Sequence, residues 1–568
     1  MTSFGSDARS LLELLDRRES DGLCRYVSYD PRMGESRELT GADLARLSSA
    51  AAAGLQNLIS DDQKRTANPL VALVMRDPLS FIVGFFAIMR AGLVPVPAPN
   101  RPDSHRGHRQ RLRGVVEASE PRAILVERAD ADLGPGVTVP EHCPILPLDE
   151  LAGANDEPEP ADPLPSSAAY VQYTSGSISD PKPIVLRHEN VLAQLAQAAE
   201  VYDEGSDCVS VSWVPLHHDM GLVTSVLRPL YAGYTSALLD AFDFVKEPAL
   251  WPRALSDWKA THTSAPDFGY ALCARKTPDP RLFDLRPLRV ARSAGEPVRP
   301  RTLRAFAQKF RPSGFDVAAF TPSYGLAEAT LTVTTCAVDE PPRILRLSAR
   351  ALRNGEVHVP ASPDVDASEI VSCGRPLPGT SVEVVDPATR EVLGPRQVGE
   401  VWISGPQVVP SDAHSIEGSE GHCTGDMGFC VDDELYLVGR ARERFQVAGQ
   451  NFYSGELEIL AFTADDRLRH GRAAVFLGQL PHWHAPRLVV VAECGEAALL
   501  DDGTGALIAK AIVAALGHAT GLSVHSVCLV PAGTVPVTTS GKIQREQCRT
   551  AFESGAIAAV YTYERGTT

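Results

Sequence analysis

The chain has 568 residues, 44% of them apolar, and a formal net charge of −17. It is too long for one hydrophobic core, which points to two to four structural units, and its acidic balance argues against a nucleic-acid partner, since phosphate backbones demand clustered Lys and Arg. Eleven cysteines with no C-x-x-C pair and an odd total suggest neither a disulfide framework nor a zinc site, so a reduced, cytoplasmic setting is expected.

Residues 1 to 7 lack a basic segment followed by an apolar run, so no signal peptide is expected. Leu70 to Met75 predicts a buried strand, and Asp77-Pro78 predicts a helix start with Pro in the first turn. The longest apolar stretch, Phe81 to Ala98, is broken by Arg90, Pro95 and Pro97. A spanning helix needs about 20 apolar residues, so no membrane span is expected; the stretch reads as a buried helix to Arg90 followed by a strand from Gly92 to Val96. A helix from Gln110 to Ala118 and a strand from Arg122 to Glu127 continue an alternation that favours α/β architecture.

Gly153 to Ser167, with four prolines and four acidic residues, reads as a linker. A second α/β segment runs from Ala168 to Thr335. From Arg343 to Gly439 the pattern shifts to short strands (Ser381 to Val385, Gly399 to Ser404, Glu434 to Val438), a third and β-rich unit. After Gly439-Arg440 comes a tail with strand-like runs at Ala473 to Phe476 and Leu488 to Ala492 and a helical run at Ala506 to Leu516. The expected fold is therefore α/β: a large N-terminal domain, 1–440, of two α/β subdomains plus a β-rich subdomain, and a small mobile α+β C-terminal domain, 441–568.

Five short pieces carry chemistry. The run Tyr173-Thr174-Ser175-Gly176-Ser177-Ile178-Ser179-Asp180-Pro181-Lys182 lies between strand-like segments. Its hydroxyls and its glycine suit an anion, although a solvated Ser/Thr turn would read the same way. It is not a Walker P-loop, and no G-x-G-x-x-G or G-x-S-x-G string is present. Pro322-Ser323-Tyr324-Gly325-Leu326-Ala327-Glu328 places an aromatic ring that could stack on a base near a carboxylate that could ligate Mg²⁺. Thr424-Gly425-Asp426 offers an acceptor pair for two hydroxyls. Gly439-Arg440 and Ser540-Gly541-Lys542 complete the series. A sixth segment, Ser212 to Leu222 with Trp213 and His217-His218-Asp219-Met220, could suggest a metal; adjacent histidines diverge within a regular strand or helix, which weighs against it.

In this order the pieces resemble the adenylate-forming superfamily of acyl-CoA ligases, luciferases and peptide-synthetase adenylation domains, and within it the fatty acyl-AMP ligases. Ser264-Ala265-Pro266-Asp267-Phe268, Ser293-Ala294-Gly295-Glu296 and Val371-Ser372-Cys373-Gly374-Arg375-Pro376 extend the resemblance over nearly the whole chain, about Ser10 to Phe552. It implies ATP and Mg²⁺ as cofactors. Thr174, Ser175, Gly176 and Ser177 would hold the β- and γ-phosphates. Ser293, Gly295, Glu296, Ser323, Tyr324 and Gly325 would line the adenine site, with Glu328 on the metal and Asp426 and Arg440 on the ribose. His218 would lie beside the acyl carboxylate, with Trp213, Met220, Asp267 and Phe268 in the pocket wall. Arg442 would be the hinge and Lys542 the catalytic cation. An extra segment at 342–370 is associated with delivery of the acyl group to a phosphopantetheine-bearing acyl carrier protein rather than to CoA.

The implied reaction is ATP-dependent activation of a carboxylic acid, a fatty acid in this subfamily, to acyl-AMP and its transfer to the carrier in lipid, polyketide or lipopeptide biosynthesis. An acyl-CoA or aryl or short-acid ligase and a catalytically silent homologue are the alternatives. Four departures mark this chain: Ile178 in place of a second Thr, Pro183 in place of Gly, a short polar Val408 to Cys423 without Gly-Tyr-Trp, and Gln450 in place of Arg.

Overall fold

The computed structural model describes residues 7–58, 70–99, 106–130, 133, 137–139, 143–151, 161–173, 181–360, 367–409, 421–447, 450–495, 502–537 and 543–566. Leu70–Val74 is the buried strand expected from its run of apolar residues. Asp77 caps the helix Pro78–Arg90, its carboxylate accepting from the backbone of Ser80, and Pro78 occupies the first turn, where a missing N–H leaves nothing unpaired. The next strand starts at Val94 rather than Gly92, because Gly92 takes φ 75° to turn the chain. Pro95 and Pro97 fit this strand because it lies at the edge of its sheet and needs no full set of ladder donors. Val94–Pro97, Leu70–Val74, Ala123–Val126 and Ile145–Pro147 form, in that order, a parallel sheet.

A second sheet has nine strands. Its parallel centre is Phe320–Gly325, Val290–Ser293, His262–Ala265, Val209–Ser212, Thr235–Leu238 and Arg25–Asp30. The sequence suggests consecutive units; the pairing differs. Arg25–Asp30 and Glu35–Thr40 precede the first sheet in the chain yet extend the second. At the opposite end, Thr332–Thr335 and Arg375–Pro376 add antiparallel strands. Edge backbone groups need partners, and local sequence patterns do not say which distant strand supplies them. One apolar core runs through both sheets and their helices, from Leu11 to Val371.

Inside this core, Glu204 and Arg228 form an ion pair with side chains only 2% and 4% exposed. Tyr234 donates to Glu204 Oε1 at 3.0 Å, and the Arg228 guanidinium lies 4.4 Å from the Tyr202 ring centroid.

The β-rich region is an antiparallel sheet of Ser381–Val385, Gly399–Ser404, His422–Val431 and Glu434–Arg440. The segment at 342–370 forms the ribbon Ile344–Ser348 with Ala367–Val371 and a short helix, Ala349–Arg353. The tail builds its own mixed sheet from Leu468–Gly478, Arg487–Cys494, Ser526–Val530 and Tyr561–Glu564. Its helix Asp502–Thr520 is long and apolar enough to cross a membrane by length and composition. Ile508, Ala509, Ile512 and Leu516, however, are fully buried in the tail's own core, as on the inner face of a packed helix.

Candidate active site

A cleft of about 4570 Å³ is lined by the ends of the central strands and by the tail. On one side, the strand Val209–Ser212 gives way to the irregular bend Trp213 to His218, and then to the helix Asp219–Leu222, which passes into a π-helical turn, Val223–Leu227. His217 and His218 both face the cleft, with ring centroids 4.5 Å apart and planes tilted by 38°. The divergence expected inside a regular element does not operate here, because both residues precede the helix. Gln172 donates to the carbonyl of His217 at 2.9 Å and fixes the bend.

Trp213 and Met220 line the cleft, as does Phe268. Trp213 stacks on Phe244 at 3.9 Å and meets Trp251 and Phe268 edge-on at 6.0 and 5.6 Å, so the apolar end of the cleft is a rigid aromatic wall. Behind it Gly269 is in close contact: a Cβ there would lie 2.6 Å from Trp213 Cζ2. Gly269→Ala is therefore expected to cost about 1–3 kcal/mol through overpacking, read as a lower urea midpoint; an unchanged midpoint would show that the Trp213 ring is not held in place.

Two expectations are corrected. Asp267 does not form the wall: its side chain is fully buried, with Arg299 donating to it from backbone (2.9 Å) and guanidinium (3.3 Å) and Thr302 from its hydroxyl (2.9 Å). Burial raises its pKa to about 6, against the pull of Arg299. Ser293 is also buried behind the surface, whereas Gly295 and Glu296 reach the cleft. Ser293 is the last residue of its strand and the chain turns at Gly295, φ 81°, before Glu296, whereas Asp267 and Phe268 open a helix whose successive side chains point in different directions.

Across the cleft, Tyr324 donates to Asp426 Oδ2 at 2.7 Å. Burial, and then the Asp426 carboxylate, hold the phenol protonated far above its ordinary range. Asp426 and Arg440 are direct cross-strand partners, and Arg440 Nε lies 3.1 Å from Asp426 Oδ1. The two strands thus present a carboxylate already oriented by a phenol and a guanidinium. Ser323 also borders the cleft, but its hydroxyl is engaged with those of Tyr202 (3.1 Å) and Thr335 (2.9 Å). Gly325 is required by packing, since a Cβ would sit 1.6 Å from the Leu331 carbonyl oxygen. Glu328 lines the cleft from the 3₁₀ turn Ala327–Ala329, and Val409 donates to its backbone carbonyl at 2.8 Å. The Glu328 carboxylate is the kind of oxygen donor that could hold a hard cation.

The strands Ala168–Tyr173 and Pro183–Arg187 pair antiparallel with Tyr173 opposite Pro183, so they form the feet of the hydroxyl-rich loop. Thr174, Ser175, Gly176, Ser177 and Ile178 themselves lie outside the described residues, as does Lys542. The feet of the Lys542 loop are described: Val537 bridges Ile543, and Gln544 donates to the Pro536 carbonyl at 2.9 Å. Immediately beyond, Arg545 clamps Glu458 at 2.6 and 2.7 Å and also pairs with Glu443. Arg442 is exposed in the 3₁₀ turn Ala441–Glu443 between the β-rich sheet and the tail. Gln450 lies in the strand Gln450–Tyr453, opposite Val447.

One cleft residue escaped the sequence reading. Arg111 donates to the Tyr173 carbonyl at 3.3 Å, at the foot of the hydroxyl-rich loop, and burial lowers its pKa to about 10 against the attraction of Asp219. It belongs to a helix remote in sequence from every motif, so only the fold reveals it.

The comparisons with known proteins agree with this arrangement. The family model described as AMP-binding enzyme matches residues 21–411. The chain is 31% identical to the medium-chain-fatty-acid–[acyl-carrier-protein] ligase JamA of Moorena producens, over 96% of each chain. It is 29% identical to a 4-hydroxyphenylalkanoate adenylyltransferase of Mycobacterium marinum, over 98% of this chain and 93% of the relative. Among solved structures, it is similar to a fatty acyl-adenylate ligase from work on the E. coli and L. pneumophila enzymes, with TM-score 0.87 and 26% identity over 97% of this chain and 99% of the other. A cleft bordered by His218, Tyr324, Glu328, Asp426 and Arg440, together with a family match over more than half its length, establishes that the chain belongs to the AMP-binding enzyme family.

Proposed function

We propose that this protein is an acid–AMP ligase that activates a fatty acid with ATP and passes the acyl group to the phosphopantetheine thiol of a carrier protein. The observation that carries the reading is the Tyr324–Asp426–Arg440 arrangement facing the aromatic wall at Trp213 across one cleft. Asp426 would accept from the ribose hydroxyls, and Tyr324 would pack against the base. The wall of Trp213, Met220 and Phe268 would take the apolar chain, with His218 beside the carboxylate. Thr174, Ser175, Gly176 and Ser177 would bind the outer phosphates. Glu328 would hold Mg²⁺, which would offset phosphate charge in the first step.

The first step joins a carboxylate oxygen to the α-phosphorus and releases pyrophosphate. In the second, the thiol displaces AMP, with the segment 441–568 acting as a mobile domain that turns about Arg442 between half-reactions. The fatty acid and the carrier are supported by the names of relatives such as JamA. A cytoplasmic setting fits both substrates. The aryl-acid alternative has its own support in the 4-hydroxyphenylalkanoate relative.

Acid-dependent exchange of labelled pyrophosphate into ATP tests the first step. Asp426→Ala is expected to raise the KM for ATP about tenfold or more, the scale for losing a charged hydrogen-bond partner. An unchanged KM would remove Asp426 from the nucleotide site, and no exchange with any acid would remove the ligase reading.

A further inference from the structure

The helix Arg106–Ser119 brings one side chain to the cleft at the place where the hydroxyl-rich segment leaves its hairpin. Arg111 is partly exposed and borders the cleft together with Gln172, Tyr173, Lys182 and Asp219. Its guanidinium donates to the Tyr173 carbonyl at 3.3 Å. Tyr173 is the register partner of Pro183, so this contact sits on the two strand ends from which the segment projects. Lys182, the residue before Pro183, is exposed and lines the same cleft. Two cations from unrelated parts of the chain, one on a helix and one on the hairpin, therefore stand at these strand ends.

A single carbonyl does not require a cation. A neutral amide would serve it, and taking a charge out of water costs far more than taking out an amide. Burial lowers the Arg111 pKa to about 10, and the group stays cationic near pH 7. Asp219 attracts it, but the same carboxylate also attracts the fully buried Arg292. A guanidinium carries five N–H donors in a planar fork, so it can hold the Tyr173 carbonyl and a phosphate oxygen at once.

We propose that Arg111 is a further phosphate-binding residue of the ligase, contacting the β- and γ-phosphates of ATP and the pyrophosphate that they become. This rests on the proposed ligase reading and adds a residue that lies outside every motif of the sequence. In the first step a carboxylate oxygen bonds to the α-phosphorus while the bond from that phosphorus to the bridging oxygen breaks. The electron pair of the broken bond leaves with pyrophosphate. Arg111, held in place by the Tyr173 carbonyl, offsets the charge that gathers there.

The test is exchange of labelled pyrophosphate into ATP by the full chain, at saturating acid and varied pyrophosphate. Arg111→Gln is expected to raise the KM for pyrophosphate about tenfold or more. Arg111→Lys should recover part of the loss, because it keeps the charge without the fork. Transfer from supplied acyl-AMP to pantetheine is the comparison, since acyl-AMP carries no β- or γ-phosphate, and its rate should be unaffected. Urea midpoints check the fold of each variant. In a folded variant, equal losses in exchange and in thiol transfer would mean that Arg111 only shapes the cleft through Tyr173, and would overturn the proposal. So would a wild-type KM for pyrophosphate, or a lysine variant no better than the glutamine one. If Arg111→Gln does not fold, Arg111→Lys carries the test: its KM should rise with thiol transfer intact, and an unchanged KM would overturn the proposal. Failure of the wild type to exchange with any acid would instead defeat the ligase reading.

Discussion

Lys542→Ala is expected to slow acyl-AMP formation by about 10² or more, the usual scale for removing one preorganised charge from a transition state. Attack of a carboxylate on the α-phosphate brings two anionic groups together and spreads negative charge over the phosphoryl oxygens. We propose that Lys542 supplies a cation for that need, and the described residues on either side of it are tied down. They are joined by the Val537–Ile543 bridge, and Arg545, three residues beyond the lysine, is locked to Glu458 and Glu443. Single-turnover measurement of acyl-AMP separates this step from thiol transfer, on which Lys542→Ala should have much the smaller effect. A variant with a near-normal adenylation rate would remove Lys542 from the chemistry.

Glu204→Ala is expected to destabilise the protein by about 3–5 kcal/mol, because it strands a buried arginine without its carboxylate. The pair lies in the principal core, with Arg228 Nε donating to Glu204 Oε2 at 3.0 Å, and Tyr234 loses its acceptor in the same variant. The double variant Glu204→Leu with Arg228→Met removes both charges and is expected to recover most of the loss, since apolar replacement of a buried pair is often neutral or better. Urea midpoints of the two variants decide the matter. A single variant as stable as wild type would mean that the Arg228 charge is compensated elsewhere, a role the Tyr202 ring could fill only in small part.

Elements with local causes were legible in the sequence. Asp77-Pro78 marks a helix start because a cap and a first-turn proline act within four residues. The strands at Ser381–Val385 and Gly399–Ser404 match the expected ranges, and that at Glu434–Arg440 extends two residues beyond its own. What the sequence hid was non-local. Nothing in Arg25–Asp30 announces Thr235–Leu238 as its partner. The order of motifs made the site legible as a set, but not the direction of each side chain, and so Asp267 and Ser293 proved to lie behind the wall. Arg111 was invisible for the same reason: its contact with Tyr173 joins elements far apart in the chain.

The most direct test of the account is a mass-spectrometric product assay with the purified protein, ATP, Mg²⁺, CoA, a phosphopantetheinylated carrier protein and a panel of short, aromatic and long-chain acids. Acyl-AMP from fatty acids, followed by acyl-carrier protein with no acyl-CoA, is the predicted result. Acyl-CoA as the principal product, or no adenylate from any acid, would contradict it.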